Sequence, residues 1–376
     1  MAKVLVSRHL SQPAIDALKA CQDLDIVLWE HNRKADREWL LKNAQGVVGL
    51  VVTLTDKIDE ELLDAAGASL RIISTMSVGY DHVDVPALKA RGIRLGFTPD
   101  VLTDAVADIA VMLALMASRN VKESMEIVHS GKWPHTPWSP SLLTGPQIST
   151  PGTTIGFIGF GRISRATLAR LIPFRISRVL YTRSTSPTSS VVSDEQLLKD
   201  FPTLQEAKWV TLGELARESD FVFVLAPGGE ATKHLVNKSF LAAMKKEAVL
   251  VNPGRGEFGI RSDVSRPDVH SGISSASNRD EKGCGYWISQ DPGSVVDSDA
   301  LAEALREGRI WGAGLDVVDG EPNVPADHPL VKEPRAVVLP HIGSATVQTR
   351  LDMAQLAATN LITGIRGGKM PSEAIL

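Results

Sequence analysis

The chain has 376 residues, 43% of them hydrophobic and 22% charged, with 40 basic against 44 acidic side chains and a net charge of −4. That length exceeds what a single core usually holds, so two domains of an ordinary globular protein are expected. With no basic block there is no electrostatic footprint for nucleic acid, and two distant cysteines (Cys21 and Cys284) speak against a disulfide framework or a metal site. The opening MAKVLVSRHL reads as neither signal peptide nor membrane span, which makes a reducing, cytoplasmic setting the default expectation.

In chain order, KVLVS, DIVLW and GVVGLVV read as strands, interleaved with helical patterns such as PAIDALKAC and DEELLDAAG; RIISTMSVG and IRLGF continue the series. Near-continuous apolar strands separated by helices predict a parallel sheet covered on both faces. Residues 103–131 carry one long helical pattern, and the Pro- and Trp-rich loop WPHTPWSPSLLTGPQ behind it suggests a hinge. A second series then begins: TTIGFIGFG, RVLYT, DFVFVLAP, EAVLVNPG, WGAGLDVV and AVVLPH as strands, with RISRATLARL as the first helix. The tail 344–366 is helical again and could pack back on the first unit. The expected fold is α/β, with two doubly wound parallel-sheet domains, one embedded in the other and crossings near residues 104 and 342.

In Gly156-Phe-Ile-Gly159-Phe-Gly161-Arg162-Ile163-Ser164, glycines follow an apolar strand and open a helix. Gly159 permits a tight turn, and Gly161 lets backbone amides approach a pyrophosphate at the positive helix end; Ser164 is a small substitute for the usual third glycine. The context predicts a dinucleotide site, against the blander reading of a structural turn. An NAD site usually ends the next strand with an acid that holds the ribose 2′-hydroxyl. Here the strand ends Tyr181-Thr182-Arg183-Ser184-Thr185, and Asp194 and Glu195 lie too far along to substitute. A cationic Arg183 and neighbouring hydroxyls suit a 2′-phosphate, so NADP(H) is preferred, with NAD(H) possible.

Arg255, Glu321 and His341 each follow a predicted strand of the second series. Ligands of open α/β sheets bind outside the carboxyl ends of the strands, so the three side chains could converge on one site. A His paired with a carboxylate suits general-acid work near neutrality, and an Arg beside them can grip a carboxylate and polarise a carbonyl.

The collinear motifs RIISTMSVGYDHVD, TPDVLTDAVADIAV, GFIGFGRIS, NPGRG…VVDSDALAEAL, AGLDVVDGEP and LPHIGSAT resemble the D-2-hydroxyacid dehydrogenase family over nearly the whole length, and within it the glyoxylate/hydroxypyruvate reductases. The resemblance implies a Rossmann-type NADP-binding domain (105–341) inserted in a flavodoxin-like substrate domain (1–104 and 342–376). It implies reduction of glyoxylate or hydroxypyruvate by NADPH. Arg255 would bind the substrate carboxylate and carbonyl, Glu321 would hold His341 protonated, and His341 would protonate the carbonyl. Val78 and Gly79 would offer backbone amides to the same carboxylate. Gly161, Arg162 and Ile163 would line the pyrophosphate, Arg183 and Ser184 the 2′-phosphate. Asp316 would face the nicotinamide amide, with Gly343 and Ser344 close by and Pro227 and Pro253 flanking the cofactor. Trp138 matches a loop that reaches into the partner subunit's site, so a homodimer is implied; its plainer reading is a cap on a local apolar patch.

One segment is left over. Joining GRG or GRGE to VVDSDAL restores the family pattern, leaving an excess of roughly 37 residues at 258–294 with eight serines, five glycines and no apolar period. By composition it cannot build a core, and a disordered insert is expected. Because it follows the turn that carries Arg255, it reads as an unspliced intron or a faulty gene model more than a selected element; a regulatory loop or partner-binding arm is the alternative. His270 and Cys284 within it are poor evidence for a metal. A rival of another class is a dinucleotide-sensing, corepressor-like binding protein on the same scaffold. A phosphonate- or formate-oxidising relative is disfavoured by the missing 2′-ribose acid.

Overall fold

A computed structural model describes residues 1–183, 193–229, 232–254 and 294–376. Five strands form the first sheet: β1 (Ala2–Val6), β2 (Leu24–Leu28), β3 (Gly49–Val52), β4 (Ile72–Thr75) and β5 (Arg94–Gly96), in the order β2-β1-β3-β4-β5. Seven form the second: β6 (Thr154–Ile158), β7 (Arg178–Thr182), β8 (Glu206–Trp209), β9 (Phe221–Val224), β10 (Val249–Asn252), β11 (Gly312–Leu315) and β12 (Ala336–Val338), in the order β12-β11-β10-β9-β6-β7-β8. Every pairing within both sheets is parallel.

Strict alternation along the strands divides the second sheet between two cores. Ile155, Phe157, Phe221, Phe223, Val249 and Val251 pack on one face, with Leu113, Ala114 and Ala117 of the helix Thr103–Ser118. Ile158, Val222, Val224, Leu250 and Leu315 pack on the other, under the helices Leu212–Glu218, Lys238–Ala243 and Ser298–Arg306. Both faces are dry, which explains why the strands read as unbroken apolar runs. Close approach shapes one contact: a β-carbon at Gly314 of β11 would lie 2.7 Å from Leu113 O, so the helix Thr103–Ser118 rests directly on the strand backbone. The C-terminal helix Val347–Ile365 packs on β3, β4, β5 and the helix Gln12–Lys19 of the first sheet.

Two sequence expectations need correction. The single helix over 103–131 is two, Thr103–Ser118 and Val121–His129. Asn120 between them takes φ +49, and its Nδ2 donates to Leu143 O and Thr144 O. Asn tolerates the left-handed conformation better than most residues, and its two captured carbonyls fix the break. The strand β8 was not anticipated; EAKW has one buried side chain and sits at the sheet edge, so its apolar signal is weak. No helix among the described residues is long and apolar enough to cross a membrane.

Candidate active site

The carboxyl ends of β11 and β12 lie side by side, and the loops that leave them carry the expected acid pair. His341 Nδ1 stands 2.9 Å from Glu321 Oε1, with the carboxylate almost enclosed and the imidazole about a third exposed. The loop is clamped from below. His341 N–H donates to Asp316 O, while Ile342 and Gly343 N–H donate to the two carboxylate oxygens of Asp316 at 2.8 and 2.6 Å. Asp316 is fully buried, and burial pushes its pKa up against those hydrogen bonds. His341 itself is held at φ +55, a conformation that non-glycine residues adopt rarely and that often marks a functional position. Pinned at Nδ1, the imidazole leaves Nε2 as the nitrogen for a ligand.

His341 and Glu321 line a cleft of about 3220 Å³ whose opposite wall comes from the first sheet, including Arg8, Thr53, Met76 and His82. Val78 and Gly79, expected to offer amides to the substrate, follow β4 in the turn between Met76 and His82, two residues that line that wall. A hydroxyl chain braces their turn: His82 Nε2 is 2.9 Å from Thr75 Oγ1, Thr75 Oγ1 is 2.7 Å from Ser77 Oγ, and Ser77 Oγ donates to Gly79 O. Sequence reasoning missed Thr75, Ser77 and His82 as supports. Their only signal was adjacency to the SVG turn, which says nothing of which hydroxyl faces inward.

The glycine turn lies at the end of β6, next to β7 and β9 in the sheet. Gly159 has φ +84, and a β-carbon there would come within 2.6 Å of Ala226 Cα, so only glycine fits. Thr182 Oγ1 accepts from Gly159 N–H, and Ser164 Oγ donates to Gly159 O, so Ser164 does more than fill the place of a third glycine. Gly161 is the N-cap of the helix Arg162–Leu171, and no side chain among the described residues caps that end. Ile163 is buried, while the Arg162 guanidinium pairs with Asp100 at 2.6 Å. Pro227 O accepts from Thr232 Oγ1, Pro253 is buried beside Gly343, and Ser344 is half-buried. In the wall below, the buried Asn252 amide donates to Val317 O, but its Oδ1 has no partner among the described residues.

The β7 end carries no ribose-binding acid. Asp194 instead accepts from the Tyr181 hydroxyl, whose pKa burial and that carboxylate push up. Arg183 is exposed and its guanidinium lies 5.7 Å from the centre of the Trp209 ring, a platform the sequence did not suggest. Arg255 and Ser184 lie outside the described residues, as does the 258–294 tract except for Ser294. Trp138 is not gathered into either site; it is 82% exposed.

A family profile, "D-isomer specific 2-hydroxyacid dehydrogenase, catalytic domain", matches residues 4–375. The chain belongs to that family. Within it, the chain is 38% identical over 373 residues to glyoxylate reductase/hydroxypyruvate reductase of Homo sapiens, covering 99% of this chain and 98% of that one. It is also 38% identical over 370 residues to a glyoxylate reductase of Thermofilum pendens, covering 98% and 93%. Among solved structures of this dehydrogenase fold, the TT0316 protein of Thermus thermophilus superimposes with TM-score 0.76 at 35% identity, covering 99% of this chain and 100% of that one. An NADPH-dependent glyoxylate/hydroxypyruvate reductase of Sinorhizobium meliloti, in complex with NADP and malonate, does so with TM-score 0.71 at 30% identity over 99% and 96%. As a member of this family the chain is an NAD(P)-dependent dehydrogenase.

Proposed function

We propose that this dehydrogenase reduces small 2-oxo acids, glyoxylate to glycolate and hydroxypyruvate to D-glycerate, with NADPH preferred. The observation that carries the reading is the Glu321–His341 pair, 2.9 Å apart, at one mouth of the interlobe cleft. Reductases of these two acids among the similar proteins support the substrate class.

The residues present fit a dinucleotide. The cradle at Gly159 would be filled by any β-carbon, and among the described residues the amides of the ten-residue helix that follows are uncapped and Asn252 Oδ1 is an unused buried acceptor nearby in the sheet. Gly159, Gly161, Arg162 and Ile163 would hold the pyrophosphate, Arg183 and Ser184 the 2′-phosphate, and Pro227, Pro253, Asp316, Gly343 and Ser344 the nicotinamide end. When bound, the reduced nicotinamide supplies the hydride. Arg255, with the amides of Val78 and Gly79, would bind the substrate carboxylate. Glu321 orients the imidazole through Nδ1, so that His341 can give the Nε2 proton to the carbonyl oxygen. The cleft walls come from different sheets, so their closure would exclude water.

In the same reading, residues 1–104 with 342–376 form the substrate domain and 105–341 the coenzyme domain. The chain works as a homodimer. Supporting that, the helix Val121–His129 buries no side chain, and Met125, Val128, Trp133 and Trp138 are 48%, 51%, 68% and 82% exposed. Sedimentation showing only monomer would exclude it. No observation favours the dinucleotide-sensing alternative. The deciding test is spectrophotometric: initial rates with glyoxylate and hydroxypyruvate, each with NADPH and NADH. Oxidation of neither coenzyme would refute the activity, and a preference for NADH would refute the assignment at Arg183.

A further inference from the structure

Beyond the end of β7, side chains of two neighbouring strands meet. Tyr181 of β7 pairs in register with Trp209 of β8, so alternation puts Arg183, two positions past Tyr181, on the face that Trp209 shares. There the Arg183 guanidinium lies over the indole, 5.7 Å from the ring centre. Both partners are mounted on fixed backbone. Thr182, next to Arg183, accepts the Gly159 N–H at 3.2 Å through its Oγ1, which ties the end of β7 to the glycine turn. On the other strand Val210 N–H donates to Tyr181 O, and Thr211 opens the helix Leu212–Glu218 with a reciprocal cap to Glu214. The pair still faces solvent: Arg183 is exposed, and Trp209 is 41% exposed. Stacking engages the flat face of a guanidinium and leaves its N–H edge to donate to an anion.

We propose that Trp209 is a positioning residue for coenzyme choice, its ring holding the Arg183 guanidinium where the 2′-phosphate of NADPH would meet it. This role rests on Arg183 being the 2′-phosphate cation, as proposed above. A free arginine side chain loses rotamer freedom when it grips a phosphate, and one already seated on a ring loses less. The gain goes only to a ligand that carries the phosphate, so the ring favours NADPH and is neutral toward NADH.

The test uses the full chain and two coenzyme fragments, adenosine 2′,5′-bisphosphate and adenosine 5′-monophosphate, as calorimetric probes. Trp209→Leu, which keeps apolar bulk and removes the ring, is expected to weaken the bisphosphate about two- to fivefold, the range of one exposed cation–π contact. Affinity for the monophosphate should not move, and the ratio of kcat/KM for NADPH over NADH should fall by the same factor. Trp209→Phe, which keeps a ring, should restore most of the bisphosphate affinity. With Arg183→Gln already in place, Trp209→Leu should have no further effect. An unchanged preference for the bisphosphate in Trp209→Leu overturns the proposed role. So does an equal loss of both fragments, which marks a part in the fold, or a selective loss that persists without Arg183. A wild-type chain that binds the two fragments equally overturns the reading of Arg183, and the role of Trp209 with it.

Discussion

His341 is locked on three sides: Glu321 holds Nδ1, Asp316 O takes its amide proton, and the next two amides end on the Asp316 carboxylate. Such fixing is what proton transfer needs, because the donor must already be aligned when the bond changes. His341→Gln is therefore expected to lower kcat by about 10²–10⁴-fold. NADPH affinity, followed by coenzyme fluorescence, should hardly move. Comparable loss of both would mean that the side chain serves the fold. At this scale the sequence was informative where chemistry is rare, at a His and a Glu following strands. It was silent about Trp209, whose significance depends on the Arg183 guanidinium that lies over its ring.

Elements were legible where their period was strong. The helix Arg162–Leu171 and the strand Arg178–Thr182 fall where the pattern put them. The break at Asn120 did not show, because the apolar pattern continues through it and the turn is secured by carbonyls more than twenty residues away. Asn120→Ala is expected to cost about 1–3 kcal/mol through those carbonyls, read as a lower denaturant midpoint; an unchanged midpoint would exclude a clamp. The C-terminal segment is tied by Arg94, whose Nε and Nη2 lie 2.7 and 2.6 Å from the Glu373 carboxylate. The Arg94 hydrogen bond lowers the Glu373 pKa. The contribution is thus fully present above the ordinary glutamate value of ~4.3 and is lost as pH falls through the lower folded value. For so exposed a pair it is worth about 0.5–1 kcal/mol. Glu373→Gln should melt lower than wild type at pH 7, with the difference closing in acid; a gap that persists at low pH would point to packing instead.

At the scale of the molecule, two sheets offer their strand ends to one cleft, and the chain returns to the first sheet through the helix Val347–Ile365. In sequence the tract at 258–294 begins three positions after Arg255, and the described chain resumes at Ser294, whose carbonyl accepts from His234 N–H. Entropic closure of a long loop rises only with the logarithm of its length, so the fold should tolerate the tract, whereas the substrate-binding role proposed for Arg255 would need sub-ångström placement. Deleting 258–294 should leave the far-UV spectrum and melting temperature nearly unchanged and raise kcat. No gain in kcat would show that the tract does not disturb the site, and sequencing the transcript would show whether it is encoded in the mature message.

By itself the sequence determined the family, the two parallel sheets, the glycine turn and the His–Glu pair. Each rests on local demands: apolar runs for doubly covered strands, glycine where a β-carbon would collide, ionisable groups after strands. Only the tertiary structure decided that a hydroxyl chain braces the SVG turn and that the Asp316 carboxylate accepts the two amides that follow the histidine. Those depend on distances between residues far apart in the chain, and burial, which sets the cost of a charge, has no value until the chain has closed around it.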